Sequence, residues 1–441
     1  MSFTIALAAG IIGLLSLAQP AHASDADRDP FTAIEKVRLE NGLTVYLAPN
    51  PEAALTAVQV EVDTGFDAET PANWGTAHLL EHVLFRDKQL KDEMSYLQLI
   101  KEAGGDANGT TEGRVTTYYG SIPAKKGAWL LETISKLIVR PSITEEYVEK
   151  EKGTVELERG RPGPISQALG FNPIDYVKLG YLNNPSFWKS EFGLSSDDRF
   201  TLTEEQLSTQ RLTRDHLQSF YDAYYYPSNM RLYVAGRFKR EDVLGVLETY
   251  WNGLAKRDGQ KLPPPEQPKL LRDRPYVRRE LTEDTPSVYV GTKLWNLTLL
   301  EAQIVDSYVE YLSHRLMKEL RNKKGQTYTA YGATNVQERS GYAYVHFQTP
   351  RENLRENYGQ VEELLRAETR EGGLTPEQVQ DAKKLYLDKY HLHGNEAYAM
   401  MYAAKSMMLA ERDFGVTASP YQLLKNVTPA EYNDALKKHF E

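Results

Sequence analysis

Apolar and polar residues alternate through VRLENGLTVYL, Val37 to Leu47, about Asn41-Gly42. This is the signal of a tight hairpin, because Asn-Gly accepts the positive φ such turns require. Period two resumes from Ala57 to Val62 and predicts a further strand of that sheet. The period then lengthens to that of a helix from about Gly75 to Met94, until Gly104-Gly105 breaks it ahead of the strand-like TTYYGSI. A second helix is predicted from about Thr144 to Arg159, with Ser142 and Glu145 in capping-box spacing and Gly160 and Pro162 to stop it. MRLYVAG, Met230 to Gly236, reads as a strand and Arg240 to Leu254 as a helix. The polar, proline-rich stretch 256–275 reads as a linker between domains.

The second half repeats the first. IKEAGGDANGTTEGRVTTYYGSIPA precedes two helices, the second being TEEYVEKEKGTVELE; LRNKKGQTYTAYGATNVQERSGYAYVHFQTP precedes TPEQVQDAKKLYLDK. Aligning Thr144 with Thr375 sets Glu151 opposite Ala382 and Glu158 opposite Lys389. A duplicated α+β fold is expected, each copy a mostly antiparallel sheet packed with helices. A length of 441 residues suits two such domains.

Composition narrows the chemistry. The net charge of −9 excludes a counterion-displacing nucleic-acid binder, and basic or neutral peptides suit it better. The absence of cysteine excludes disulfides, thiolate nucleophiles and sulfur-ligated metal, so any metal must be held by His and carboxylates. The apolar stretch Ile5 to Leu17, followed by Ala21-His22-Ala23, has the form of a signal peptide cleaved after Ala23. It is shorter than the ~20 residues that span a bilayer. Export to the periplasm or medium is expected, with residues 24–255 forming one domain and 276–441 the other, and no membrane association after cleavage.

GTAHLLEHVLF carries His78, Glu81 and His82. Residues four apart share a helix face, so both imidazoles can meet one ion while Glu81 points to the same space. This inverts the H-E-x-x-H order of many zinc enzymes. Zinc chemistry needs neutral imidazoles, an open position for water and an unligated carboxylate to take its proton, the role Glu81 fits. A third ligand must come from another element, and the helix ending near Arg159 offers Glu149, Glu151, Glu156 and Glu158. Glu151 and Glu158 are seven apart on one face, and Glu149 with Glu156 form a second pair. His314, His346, His391 and His393 lack a carboxylate at ligand spacing and read as surface or packing residues, with His391-Leu392-His393 able to bind metal only adventitiously. No H-x-x-E-H occurs in the second half, so only the first copy can bind metal this way.

The chain resembles the insulinase/pitrilysin family of zinc peptidases, in its short two-domain branch with the mitochondrial processing peptidase. NGLTVYL, GFDAET with WGTAHLLEHVLF, GGDANGTTEGRVTTYY, EKGTVELE and YYYPSNMRLYVAG carry the likeness in order and spacing. Two departures are Trp74, where small residues are common, and Arg86-Asp87, where Gly-Thr is usual after the motif's Phe. The resemblance implies a zinc endopeptidase with one Zn2+ per chain, held by His78, His82 and Glu158, with Glu81 as base and Glu151 as a supporting carboxylate. It implies substrate contacts from Asn108 on an edge strand and from Arg321 and Tyr328 in the second domain. It also implies that the chain is half of a clamshell, facing a second copy or a related two-domain chain. Two other readings stay open: a catalytic subunit needing a zinc-free partner, and a non-catalytic peptide-binding subunit.

Overall fold

The computed structural model of the protein describes residues 29–88, 90, 94–158, 208–257, 259–262, 287–323, 327, 330–337, 339–391 and 396–440. The expected signal segment, the helix-stopping Gly160 and Pro162, and residues 263–275 of the expected linker lie outside them. Among the described residues, no helix is long and apolar enough to cross a membrane.

Strands β1 (Glu35–Arg38) and β2 (Thr44–Pro49) form the expected antiparallel hairpin. Gly42 takes φ 96° at its turn, and a Cβ there would lie 2.5 Å from that of Ser228. Asn41, 5% exposed, donates from Nδ2 to the carbonyl of Trp251 at 2.7 Å, which ties the turn to the end of a distant helix. The next strand, β3 (Leu55–Val62), does not pair with this hairpin. Two further strands of the sheet, β4 (Asp106–Thr111) and β5 (Thr116–Pro123), precede β6 (Met230–Gly236), which inserts between β2 and β3. The order is β1-β2-β6-β3-β5-β4, with β6 parallel to β2 and antiparallel to β3. A strand buried on both faces reads as a continuous apolar run, as Leu232 to Gly236 does, all of it buried.

Helices cover one face of this sheet. They are α1 (Thr76–Leu84), α2 (Tyr96–Glu102), α3 (Gly127–Val139), α4 (Glu145–Glu158), α5 (Arg214–Tyr224) and α6 (Arg240–Tyr250). Val45, Leu47, Val58, Val60, Leu232 and Val234 point into their core together with Leu79, Leu80 and Val83 of α1. Three expectations are corrected here. The helix expected over Gly75 to Met94 stops at Leu84, because the polar run from Arg86 cannot extend its apolar stripe; Ser95 then caps α2, accepting from the N–H of Gln98 at 3.2 Å. Ser142 does not cap α4 but donates to Asp87 at 3.1 Å, and the cap is Thr144, whose hydroxyl accepts from the N–H of Tyr147 at 3.2 Å. The helix expected to reach Leu254 ends at Tyr250.

The second half builds β7 (Ser287–Leu294), α7 (Leu299–Leu316), β8 (Ala330–Gln337) and β9 (Ser340–Gln348), with sheet order β7-β9-β8. Helices α8 (Leu354–Arg366), α9 (Pro376–Leu387), α10 (Glu396–Phe414), α11 (Pro420–Asn426) and α12 (Pro429–Phe440) follow. The repeat is visible in detail, since α9 starts from Thr375 as α4 starts from Thr144. The positions aligned with Glu151 and Glu158 are a fully buried Ala382 and a Lys389 paired with Glu310 at 2.6 Å. His314 does have a carboxylate neighbour, Glu310 at 3.7 Å, a correction to the expected lack of one, but its side chain is 59% exposed.

Helix α10 crosses to the first sheet and covers the face that the other helices leave. Its Ala397, Met401, Ala404 and Met408 pack on Tyr46, Ala57, Tyr233 and Ala235, where small residues on both sides allow close approach. Lys405 pairs with the buried Glu61 at 2.9 Å, Arg412 with Asp63 at 3.3 Å, and Lys36 with Glu411. Burial pushes the Glu61 carboxyl up, but Lys405, Arg231 and the Tyr233 hydroxyl outweigh it and hold it below the usual range. The two units are thus joined by an apolar seam edged with ion pairs.

His346 gives a pH prediction. It sits in the central strand β9, 5% exposed and 4.9 Å from the Tyr331 ring, and burial pushes its imidazole down to about 4. Its folded pKa lies below the unfolded value of about 6.5, so between those values the unfolded chain binds the extra proton and stability falls as pH falls. His346→Phe is expected to remove on the order of 2 kcal/mol of the stability difference between pH 7 and pH 4. Urea unfolding at both pH values checks this; an unchanged difference would refute it.

Candidate metal centre

Helix α1 is held at its start. Gly75 takes φ 91°, and Glu69 accepts from the N–H groups of Gly75 at 2.9 Å and Ala77 at 2.7 Å, placing a carboxylate where the helix dipole favours one. Leu79, Leu80 and Val83 are buried in the core, which leaves His78, Glu81 and His82 grouped on the other side. The Nε2 atoms of His78 and His82 stand 3.3 Å apart, their rings at 81°. One ligand atom from each of His78, Glu81 and His82 lies within 4.8 Å of the others. His78 meets the edge of Phe66, which stacks on Trp74, so the unusual tryptophan forms part of the wall beside the site.

Glu81, 6% exposed, reaches the edge strand β4. Thr111 donates its hydroxyl to Glu81 Oε2 at 2.7 Å. Gly109 makes room for this, since a Cβ there would lie 2.6 Å from Glu81 Oε1. Asn108 is exposed on the same strand, its side-chain oxygen accepting from the N–H of Gly109 at 2.9 Å.

Helix α4 packs on α1 and separates the four candidate carboxylates Glu149, Glu151, Glu156 and Glu158. Glu151, 3% exposed, accepts from Arg86 Nε at 2.8 Å and lies 3.4 Å from His82 Nδ1. Burial pushes its carboxyl up, but His82 and Arg86 outweigh this and hold it below the usual range. Glu156 accepts from the N–H and hydroxyl of Thr209 at 2.7 and 2.6 Å, and Glu149 pairs with Lys152, which gives the Glu149/Glu156 pair structural partners. Glu158 is the last residue of α4, and its side chain lies outside the described residues. Arg321 is exposed on the helical turn Met317–Lys323 of the second unit; Tyr328, His393 and the side chain of His391 lie outside the described residues. Sequence reasoning missed Thr111, Gly109, Arg86 and Glu69 as neighbours of the motif. The only local signal was for Gly109, a glycine inside a strand, which marks close approach.

The donor set fits a borderline cation such as zinc. Two imidazoles converge through Nε2, a carboxylate stands beside them, and His82 Nδ1 faces Glu151, which directs the Nε2 lone pair toward His78.

Comparison with known proteins identifies the family. The family model described as Insulinase (Peptidase family M16) matches residues 44–161, and that described as Peptidase M16 inactive domain matches residues 211–386. The chain belongs to the insulinase family, peptidase family M16. An uncharacterized zinc protease of Bacillus subtilis is 24% identical over 356 residues, covering 80% of this chain and 82% of that protein. The probable mitochondrial-processing peptidase subunit beta of Arabidopsis thaliana is 26% identical over 217 residues, 49% of this chain and 38% of that one. A protease from Helicobacter pylori has the same fold, with a TM-score of 0.72 and 19% identity over 92% of this chain and 96% of that one. The periplasmic protease PqqL of Escherichia coli matches 92% of this chain with 46% of its own, at a TM-score of 0.63 and 15% identity.

Proposed function

We propose that this chain is a zinc-dependent endopeptidase of short or unfolded peptides, with His78, His82 and Glu158 holding one zinc ion and Glu81 acting as general base. The observation that carries the reading is the convergence of His78 and His82 at 3.3 Å between Nε2 atoms, with the Glu81 carboxylate beside them. Glu158 is supported by its place on α4, one heptad after Glu151, whose carboxylate faces His82 of α1. When bound, the metal supplies a Lewis acid that polarises the scissile carbonyl and acidifies water. Glu81 takes the proton of the attacking water and returns it to the leaving amine. Thr111 fixes one oxygen of that carboxylate, so the base is oriented before substrate arrives.

The edge strand β4, with Asn108 exposed on it, offers main-chain groups to an extended peptide, which would add as a further strand. Such binding asks little of sequence and requires an unfolded segment. Tyr328 would donate to the developing oxyanion and Arg321 to a neighbouring carbonyl. The apolar Ile5 to Leu17 segment and the Ala21-His22-Ala23 site support export to the periplasm or medium. Residues 24–255 would be the catalytic domain and 276–441 a metal-free one, a division supported by the separate sheets. The chain would work as half of a dimer, with a second copy or a related chain.

The reading is tested by elemental analysis of the purified full chain, expected to carry about one zinc. Glu158→Gln is expected to weaken zinc retention ten- to a hundredfold, and Glu156→Gln to leave it unchanged. No zinc above background after remetallation would sink the reading, and equal retention by both variants would remove Glu158 from the ligand set.

A further inference from the structure

We infer that Arg86 is a positioning residue of the metal centre, acting through Glu151 to fix the ring of His82. The inference rests on the reading that His78 and His82 hold zinc. Arg86 lies just past the end of α1, four residues after His82, where a cation is favoured by the helix dipole. Its backbone is fixed on two sides, the N–H donating to the Val83 carbonyl at 2.9 Å and the residue bridging to Ser95. From there its Nε reaches Glu151 Oε1 at 2.8 Å, while Glu151 Oε2 faces His82 Nδ1 at 3.4 Å. The two oxygens of one carboxylate are thus divided between a guanidinium and an imidazole.

The division matters because the Glu151 side chain is only 4% exposed. A buried carboxylate needs compensation, and a single imidazole contact at 3.4 Å is too long to hold its orientation alone. Arg86 supplies the charge and the short bond. With Oε1 anchored, Oε2 is held toward Nδ1, the proton stays on that nitrogen, and Nε2 keeps its lone pair for the metal. The competing account is that Arg86 merely staples the end of α1 to α4. A staple would affect stability without acting through the His82 ring.

The two accounts separate in a double-mutant cycle on the full chain, reading the zinc dissociation constant by competition with a chromogenic chelator and the melting temperature of the metal-free chain. Arg86→Met and Glu151→Gln are each expected to bind zinc about tenfold more weakly, and the double variant no more weakly than Glu151→Gln alone. Arg86→Lys should fall between wild type and Arg86→Met, since it keeps the charge and loses the guanidinium's geometry. If Arg86→Met does not fold, Arg86→Lys carries the test: severalfold weaker zinc binding supports the inference and a wild-type constant overturns it. A wild-type zinc constant with a lowered melting temperature in Arg86→Met, or full additivity in the double variant, also overturns it. His78→Ala is the control for the underlying reading, because zinc binding equal to wild type in that variant would refute the metal centre and the role of Arg86 together.

Discussion

Glu81→Gln is expected to keep its zinc and lose peptide hydrolysis, with kcat reduced by on the order of 10² to 10⁴. The substitution preserves shape. The amide oxygen can still accept from Thr111, and the side chain still fits over Gly109, where a Cβ would crowd it at 2.6 Å. His78 and His82 are untouched, so the two proposed imidazole ligands remain. What disappears is a group able to take a proton from water and deliver it to the amine. Zinc content measured beside kcat separates this from a loss of metal. Hydrolysis near the wild-type rate would show that Glu81 is not the base.

The parts of the fold and site visible in the sequence are those that one element decides. Asn41-Gly42 specifies its own turn, MRLYVAG announces a strand, and four-residue spacing puts His78 and His82 on one side of a helix whatever surrounds it. Contacts between distant elements left no such trace. The insertion of β6 between β2 and β3 joins segments some 180 residues apart, and the packing of α10 across the first sheet depends on matched small residues in two halves of the chain. The early end of α1 follows from a polar run that periodicity read too generously. Helix α4 is charged on several sides, so spacing alone offered two glutamate pairs; the structure separates them because Thr209 occupies Glu156 while His82 and Arg86 occupy Glu151. Thr111 and Arg86 were invisible for the same reason, since each acts on the motif from outside its own helix turn.

The proposed dimer makes the other large prediction. If the metal domain of one chain faces the second domain of its partner, Arg321 and Tyr328 serve the zinc of the opposite chain. Glu81→Gln then retains a sound Arg/Tyr pair, and Tyr328→Phe retains a sound metal centre with its base. Each variant alone should be inactive to within the residual rate left by losing a base or an oxyanion donor. Mixed in equal amounts under conditions that allow exchange, half of the dimers become mixed, and each mixed dimer has one complete site of two. Recovered activity should therefore approach about a quarter of wild type, on the order of a hundredfold above either variant. Subunit exchange is followed independently by native mass spectrometry of isotope-labelled chains. If mixed dimers form and no activity returns, Arg321 and Tyr328 do not act across this interface. If the chain stays monomeric and becomes active only with a different two-domain chain, its working dimer is a mixed one, and the same pair of variants then identifies which chain supplies the base.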